Sequence, residues 1–138
     1  MKFVHQELST SDPAAAKKFY KGLFGWKFED MKMPNGEVYI GIKADGAGIG
    51  GIQRQPVPGA PTAWLGYVEV PSVKKLVAKA VKLGGRVLLD YTPIGDMGAI
   101  GIVADGQGGP CGLWEPAKKP KAKAAAKKKP AKKAAKKR

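Results

Sequence analysis

The chain has one cysteine, Cys111, and one histidine, His5, in 138 residues. A single cysteine excludes an intrachain disulfide, which fits a reducing compartment. A single histidine excludes any metal centre built on several imidazoles. No apolar run approaches the roughly 20 residues of a membrane-spanning helix. The first residues lack a long apolar stretch, so no signal peptide is expected and the default expectation is a cytoplasmic protein. Acid is missing altogether from one region. Between Ala117 and Arg138 there are eleven lysines, one arginine and no Asp or Glu. The body, Met1 to Pro116, holds the other 13 of the 25 basic residues against all 11 acidic ones. It is therefore close to neutral and long enough for one domain with a real core.

What the body does contain is a repeated unit. Phe3 to Phe28, FVHQELSTSDPAAAKKFYKGLFGWKF, reads as strand, turn, helix, glycine stop and strand. In the first strand Val4, Gln6 and Leu8 alternate with His5, Glu7 and Ser9. Ser11-Asp12-Pro13 supplies an N-cap type residue and a proline near the first helical position. Ala16, Phe19, Tyr20 and Leu23 form one helical stripe, and Gly25 suits the left-handed residue that ends it. A shift of 60 positions places Leu8 on Val68, Leu23 on Leu83 and Gly25 on Gly85. The same shift places Ile40-Gly41-Ile42 on Ile100-Gly101-Ile102 and Ala44-Asp45-Gly46 on Ala104-Asp105-Gly106. Two tripeptides and both helix stops in one register indicate internal duplication.

Each unit reads as β-α-β-β-β. Met33-Pro34-Asn35-Gly36 and Asp45-Gly46-Ala47-Gly48 are turns. Gln55 to Pro61, QPVPGAP, is a linker whose three prolines resist both helix and strand pairing. The second helix runs from about Val73 to Leu83, with Lys74, Lys75, Lys79 and Lys82 outside. Two such units side by side curl a sheet around a shared concavity, giving an α+β fold. The boundaries read as a body over 1–116, with modules at about 3–54 and 62–115, and a tail over 117–138. Val4, Leu8, Gly66, Val68 and Val70 are expected to face the helices. His5, Glu7, Leu65, Tyr67 and Glu69 are expected to line the concavity.

Those concave positions carry the candidate chemistry. His5 is the side chain suited to acid–base work near neutral pH, and Glu7 shares its strand face. Both are candidate catalytic residues. Tyr67 and Glu69 on the matching strand, Gln53 at the end of the first module, and Tyr39 and Trp114 as stacking surfaces complete a candidate ligand-binding set. Gly46-Ala47-Gly48-Ile49-Gly50-Gly51 does not match a nucleotide-binding glycine motif and is read as turn and bulge glycines. Cys111, in a strand with no nearby histidine, is read as an inert thiol.

The first strand with His5, the helix end KKFYKGLFGWKF, the second-module VKKLVAKAVKLGGRVL and the closing ADGQGGPCGLWEP together resemble the vicinal oxygen chelate superfamily. This is the glyoxalase/bleomycin resistance/extradiol dioxygenase fold, and the resemblance covers roughly Lys2 to Pro116. It implies paired modules around a cup, a small organic ligand and a homodimer, but not one reaction. It also implies that metal-using members take one ligand from the first strand and one from the last strand of each module. Here those positions offer His5, Leu65, Gln53 as a poor donor, and Gly112. With fewer than the three protein ligands of a catalytic site, no metal and no cofactor are expected. One alternative is a metal-dependent glyoxalase, lyase or dioxygenase with atypical ligands. Another is a nucleoid-associated structural protein whose body is a dimerisation module.

The tail, AKKPKAKAAAKKKPAKKAAKKR, resembles those of linker histones and the lysine-alanine-proline extensions of some bacterial nucleoid proteins. Its composition cannot form a core, so disorder is expected, with nucleic acid or another polyanion as partner and nucleoid association as a consequence. The contacts would come from Lys118, Lys119, Lys121, Lys123, Lys127, Lys128, Lys129, Lys132, Lys133, Lys136, Lys137 and Arg138. If about six of them meet phosphates, log K should fall against log salt with a slope near −5, about a thousandfold between 50 and 200 mM. Binding should ignore base sequence, because such contacts reach the backbone only. Comparison of the full chain with one ending at Pro116, on DNA and RNA across a salt series, checks this; equal affinities would reduce the tail to a solubility extension.

Overall fold

The computed structural model describes residues 1–118. The tail reading, apart from an exposed Lys118, lies outside the described residues. Ten elements follow in order: β1 (Phe3–Thr10), α1 (Pro13–Phe24), β2 (Lys27–Lys32), β3 (Val38–Ala44), β4 (Ala47–Arg54), β5 (Ala63–Glu69), α2 (Val73–Lys82), β6 (Arg86–Ile94), β7 (Gly98–Ala104) and β8 (Pro110–Pro116). The strands form one eight-stranded sheet in the order β2-β3-β4-β1-β5-β8-β7-β6. That order is a palindrome about the antiparallel β1–β5 seam. Parallel pairs flank the seam, β1 with β4 and β5 with β8. Gln6 pairs with its own repeat mate, Gly66, while His5 pairs with Tyr67 and Glu7 with Leu65. The 60-residue shift thus becomes a local two-fold relation through the Gln6–Gly66 pair.

Local chemistry sets the element ends. The Asp12 carboxylate accepts from the backbone N–H of Ala15 at 3.1 Å, and Pro13 opens α1. Gly25, with φ of 69°, closes it. Ser72 caps α2 by accepting from the N–H of Lys75. In the second module the positive φ belongs to Gly84, one residue before the repeat mate of Gly25. Gly85 is required for another reason, since a Cβ there would lie 2.5 Å from the Ala104 carbonyl oxygen. Asp45 and Gly46 both take positive φ, so the β3–β4 hairpin turns on two residues rather than four.

Two apolar clusters hold the helices on one face of the sheet. Leu8, Ile40, Ile42 and Ile52 pack with Ala16, Tyr20, Trp26 and Phe28. Val70, Val73, Val77 and Leu113 pack with Val68, Leu76 and Val103. Each fully buried branched aliphatic side chain contributes on the order of 2–3 kcal/mol. Two expectations are corrected here. Phe19 and Leu23 do not join the core; they are 59% and 57% exposed, because α1 meets the sheet through Ala16 and Tyr20. Val4 does not cover Gly66 either. A bulge between Phe3 and His5 leaves Val4 42% exposed, and Phe3 lies over Gly66 instead.

The repeat register also breaks in the outer strands. Ile40 pairs with Ile52 and both reach the first cluster. Ile52 corresponds to Leu113, through Leu8–Ile52 and Val68–Leu113, and Leu113 pairs with Gly101. Gly101 points at Val73 and Val77 of α2, so Ile100 and Ile102 turn to the opposite face. The identical tripeptides therefore present opposite sides to their helices, a one-residue slip that exchanges faces.

Gly50 and Gly51 are mid-strand residues, not turn glycines. A Cβ on Gly50 would lie 2.1 Å from the Gln6 carbonyl oxygen in β1, whereas one on Gly48 meets nothing within 4 Å. Gly50→Ala should cost about 1–3 kcal/mol through forced backbone displacement. Gly48→Ala should stay within about 0.5 kcal/mol. Urea unfolding of the two variants measures the difference.

Candidate functional site

The face away from the helices is built strand by strand. β1 brings His5 and Glu7, β5 brings Leu65 and Tyr67, β3 brings Tyr39, and β4 brings Gly51 and Gln53. Pairing of Glu7 with both Gly51 and Leu65 puts these strands side by side at one level. Neither glycine of the last strands is idle. The Tyr39 side chain lies where a Cβ on Gly51 would be, and the Tyr67 ring lies over Gly112, 2.5 Å from its Cβ position. Gly51 and Gly112 hold corresponding places in the two modules, so each last strand yields its concave position to a tyrosine.

Glu7 is the centre of the cluster. Its residue is 6% exposed, so its carboxylate needs donors to offset lost hydration. Gln53 Nε2 donates to Oε1 at 3.1 Å. His5 Nε2 lies 3.5 Å from Oε2 and 2.9 Å from the Tyr39 hydroxyl. The His5 ring meets Tyr67 edge-on, with centroids 6.1 Å apart. Burial raises the pKa of both Tyr39 and Tyr67 far above the usual phenol value, and the Glu7 charge adds to it. Both phenols are therefore proton donors. The Tyr67 hydroxyl lies near Glu7 but outside hydrogen-bonding geometry, and it is a buried polar group with no partner. The His5 side chain, one-third exposed, is the accessible member.

The structure thus brings five expected residues together: His5, Glu7, Tyr39, Gln53 and Tyr67. It does not bring Glu69 or Trp114 to them. Glu69 is exposed and lines a separate shallow cleft with Met1, Val70, Pro71 and Pro116. Trp114 pairs with Glu69 and Ile100, further along the sheet. Glu115 faces the helices, where its carboxylate accepts from the Val73 N–H at 2.8 Å. Burial pushes the Cys111 thiol up in pKa, away from nucleophilic behaviour. The glycines beneath the tyrosines were missed in the sequence. Their signal is their place in the repeat, one glycine at corresponding points of two last strands.

The chain belongs to the Glyoxalase/Bleomycin resistance protein/Dioxygenase superfamily, whose description it matches over residues 2–111. It is 39% identical over 114 residues to CFP32 of Mycobacterium bovis, a glyoxylase by name, with 79% of this chain and 43% of that one covered. It is 24% identical over 122 residues to the anthracycline biosynthesis protein DnrV of Streptomyces peucetius, covering 78% and 44%. The chain spans less than half the length of these curated relatives. Among solved structures, methylmalonyl-CoA epimerase of Mycobacterium tuberculosis superposes with a TM-score of 0.57 at 17% identity, covering 90% of this chain and 92% of that one. This last likeness is one of fold.

A divalent metal is what the family implies at such a cup, and the donors here do not fit one. Leu65 and the ring-covered Gly112 stand at two of the four ligand positions. Among the described residues no three of His, Cys, Asp and Glu converge. His5 and Glu7 make two ligands where about three are needed.

The chain has four tyrosines, and two of them are held protonated here. An exposed tyrosine ionises near pH 10, so above that pH the folded chain binds more protons than the unfolded one. Stability should then fall by about 1.4 kcal/mol per buried tyrosine for each further pH unit. Ultraviolet titration should show two phenols ionising near pH 10 and two only on unfolding. Four simultaneous ionisations in the folded chain would contradict the buried cluster.

Proposed function

We propose that this chain binds a small organic molecule against the first-module face of its cup, without the usual metal set, and that its tail binds nucleic acid non-specifically. The observation that carries the first part is the buried Glu7 carboxylate beneath a one-third exposed His5. His5 and Glu7 are the groups suited to move a proton. Tyr39, Tyr67 and Gln53 are suited to orient them and to donate to a carbonyl or hydroxyl oxygen. A ligand oxygen reaching Tyr67 would also satisfy a hydroxyl that otherwise has no partner. In this account the catalytic roles belong to His5 and Glu7. The protein is cytoplasmic, associates with the nucleoid through its tail, and pairs as a homodimer. Among the described residues, no helix is long and apolar enough to cross a membrane.

A metal-dependent lyase or dioxygenase is the rival on the side of chemistry, supported by the glyoxylase name of CFP32. A specific observation favours a structural body instead. Ile100 and Ile102, 8% and 4% exposed, and the Tyr67 ring fill the second-module half of the cup. Native mass spectrometry of protein taken directly from cells separates these readings. A bound organic mass is expected, lost in His5→Ala and Glu7→Gln. A metal mass near one equivalent would support the lyase or dioxygenase, and a bare chain in every preparation would support the structural role.

A further inference from the structure

The helix side of the first module carries a large apolar surface that the cup does not use. α1 has no buried residue, and Phe19, Leu23 and Phe24 are 59%, 57% and 56% exposed. They form a ridge of rings and methyls: Phe19 meets Tyr20 edge-on at 5.0 Å, and Phe24 meets Trp26 at 4.7 Å. Beside the ridge lies a cleft of about 520 Å³, lined chiefly by Gln6, Tyr20, Phe24, Ile49, Gly50 and Trp64. Trp64 and Ile49 are each 39% exposed. Across the Gln6–Gly66 pair, Phe3 is 62% exposed over Gly66. The apolar surface therefore runs from α1 across β4 and β1 to β5. A contiguous patch of this kind on a soluble domain marks an interaction site.

Nothing within the chain can cover it. α2 is engaged with the second module's sheet through Val68, Val103 and Leu113. Everything after Pro116 is alanine, lysine, proline and one arginine, with no side chain able to fill an aromatic-lined cleft. The curated relatives, by contrast, are more than twice as long as their matched portions. They carry further polypeptide where this chain has only 22 residues beyond Pro116. A chain this short must obtain such cover from another molecule. The patch also has a projecting ridge next to a recess, the self-complementary arrangement that a two-fold contact requires. The body's net charge of only +2 opposes the approach of a like copy weakly.

We propose that a second copy of this chain covers the patch, with the Phe19–Leu23–Phe24 ridge of each copy seated against the other's cleft. The assignment rests on the homodimer named above and gives it a face. Sedimentation velocity on the nuclease-treated full chain, over a dilution series in high salt, tests it. The native chain should sediment as a dimer that dissociates on dilution. Phe19→Glu and Phe24→Glu should each raise the dimer Kd by about 30-fold or more, as expected for truncating a central anchor. Leu83→Glu, at a 76% exposed position on the end of α2, should leave it unchanged. Circular dichroism matching the native chain shows that each variant folds. A native chain that is monomeric throughout overturns the homodimer itself. A dimer indifferent to both phenylalanine variants keeps the homodimer and overturns this face. A monomer whose Trp64 emission responds to a planar dye such as 8-anilinonaphthalene-1-sulfonate would make the cleft a small-molecule site instead.

Discussion

The structure depends on one backbone ladder, the antiparallel pairing of β1 with β5 about Gln6 and Gly66. Because side chains alternate along a strand, this one register decides both faces. On the helix side it sets Leu8 opposite Trp64, and on the cup side His5 opposite Tyr67 and Glu7 opposite Leu65. The parallel partners then follow, with β4 delivering Gly51 beside Glu7 and β8 delivering Gly112 beside Tyr67. A slip of one residue at the seam would bury Gln6 and expose Glu7. Gly66 tolerates no such disturbance, since a Cβ there would lie 2.9 Å from the Phe3 ring.

Much of this frame was legible in the sequence, and for physical reasons. Helix caps are local chemistry, so Asp12, Pro13, Gly25 and Ser72 could be read directly. Strand alternation placed His5, Glu7 and Tyr67 on one face because their strands alternate cleanly. The outer strands were less legible. The tripeptide Ile-Gly-Ile is identical at 40–42 and 100–102, and β pairing rather than sequence decides which face each isoleucine takes. β6 pairs with β7 through two register shifts, which no spacing in the sequence announces. Likewise Phe19 and Leu23 sit at helical spacing with Ala16 and Tyr20, and only the docking of α1 separates the packed pair from the exposed one.

The slip has a consequence for function. Had the repeat been exact in space, the cup would present matching glycines and tyrosines in both modules. Instead the second module turns Ile100 and Ile102 inward, while the first keeps Gly41, Tyr39 and Gln53 beside His5 and Glu7. A duplicated fold has thus become asymmetric, with polar chemistry on one side of the seam and filling on the other. Tyrosines over glycines take the space where metal-using relatives place ligands. The donors that remain form a hydrogen-bonded acid–base group rather than a coordination shell.

The central claim is that His5 serves this acid–base group and is not a metal ligand. As the only histidine of the chain, it gives a single imidazole signal pair in a ¹⁵N spectrum. Adding one equivalent of Zn²⁺ and then of Ni²⁺ at neutral pH is the most direct measurement. The account predicts ring nitrogen shifts that stay where they were, and that move on Glu7→Gln or Tyr39→Phe. A coordination shift of Nε2 that saturates at one equivalent of metal would contradict it.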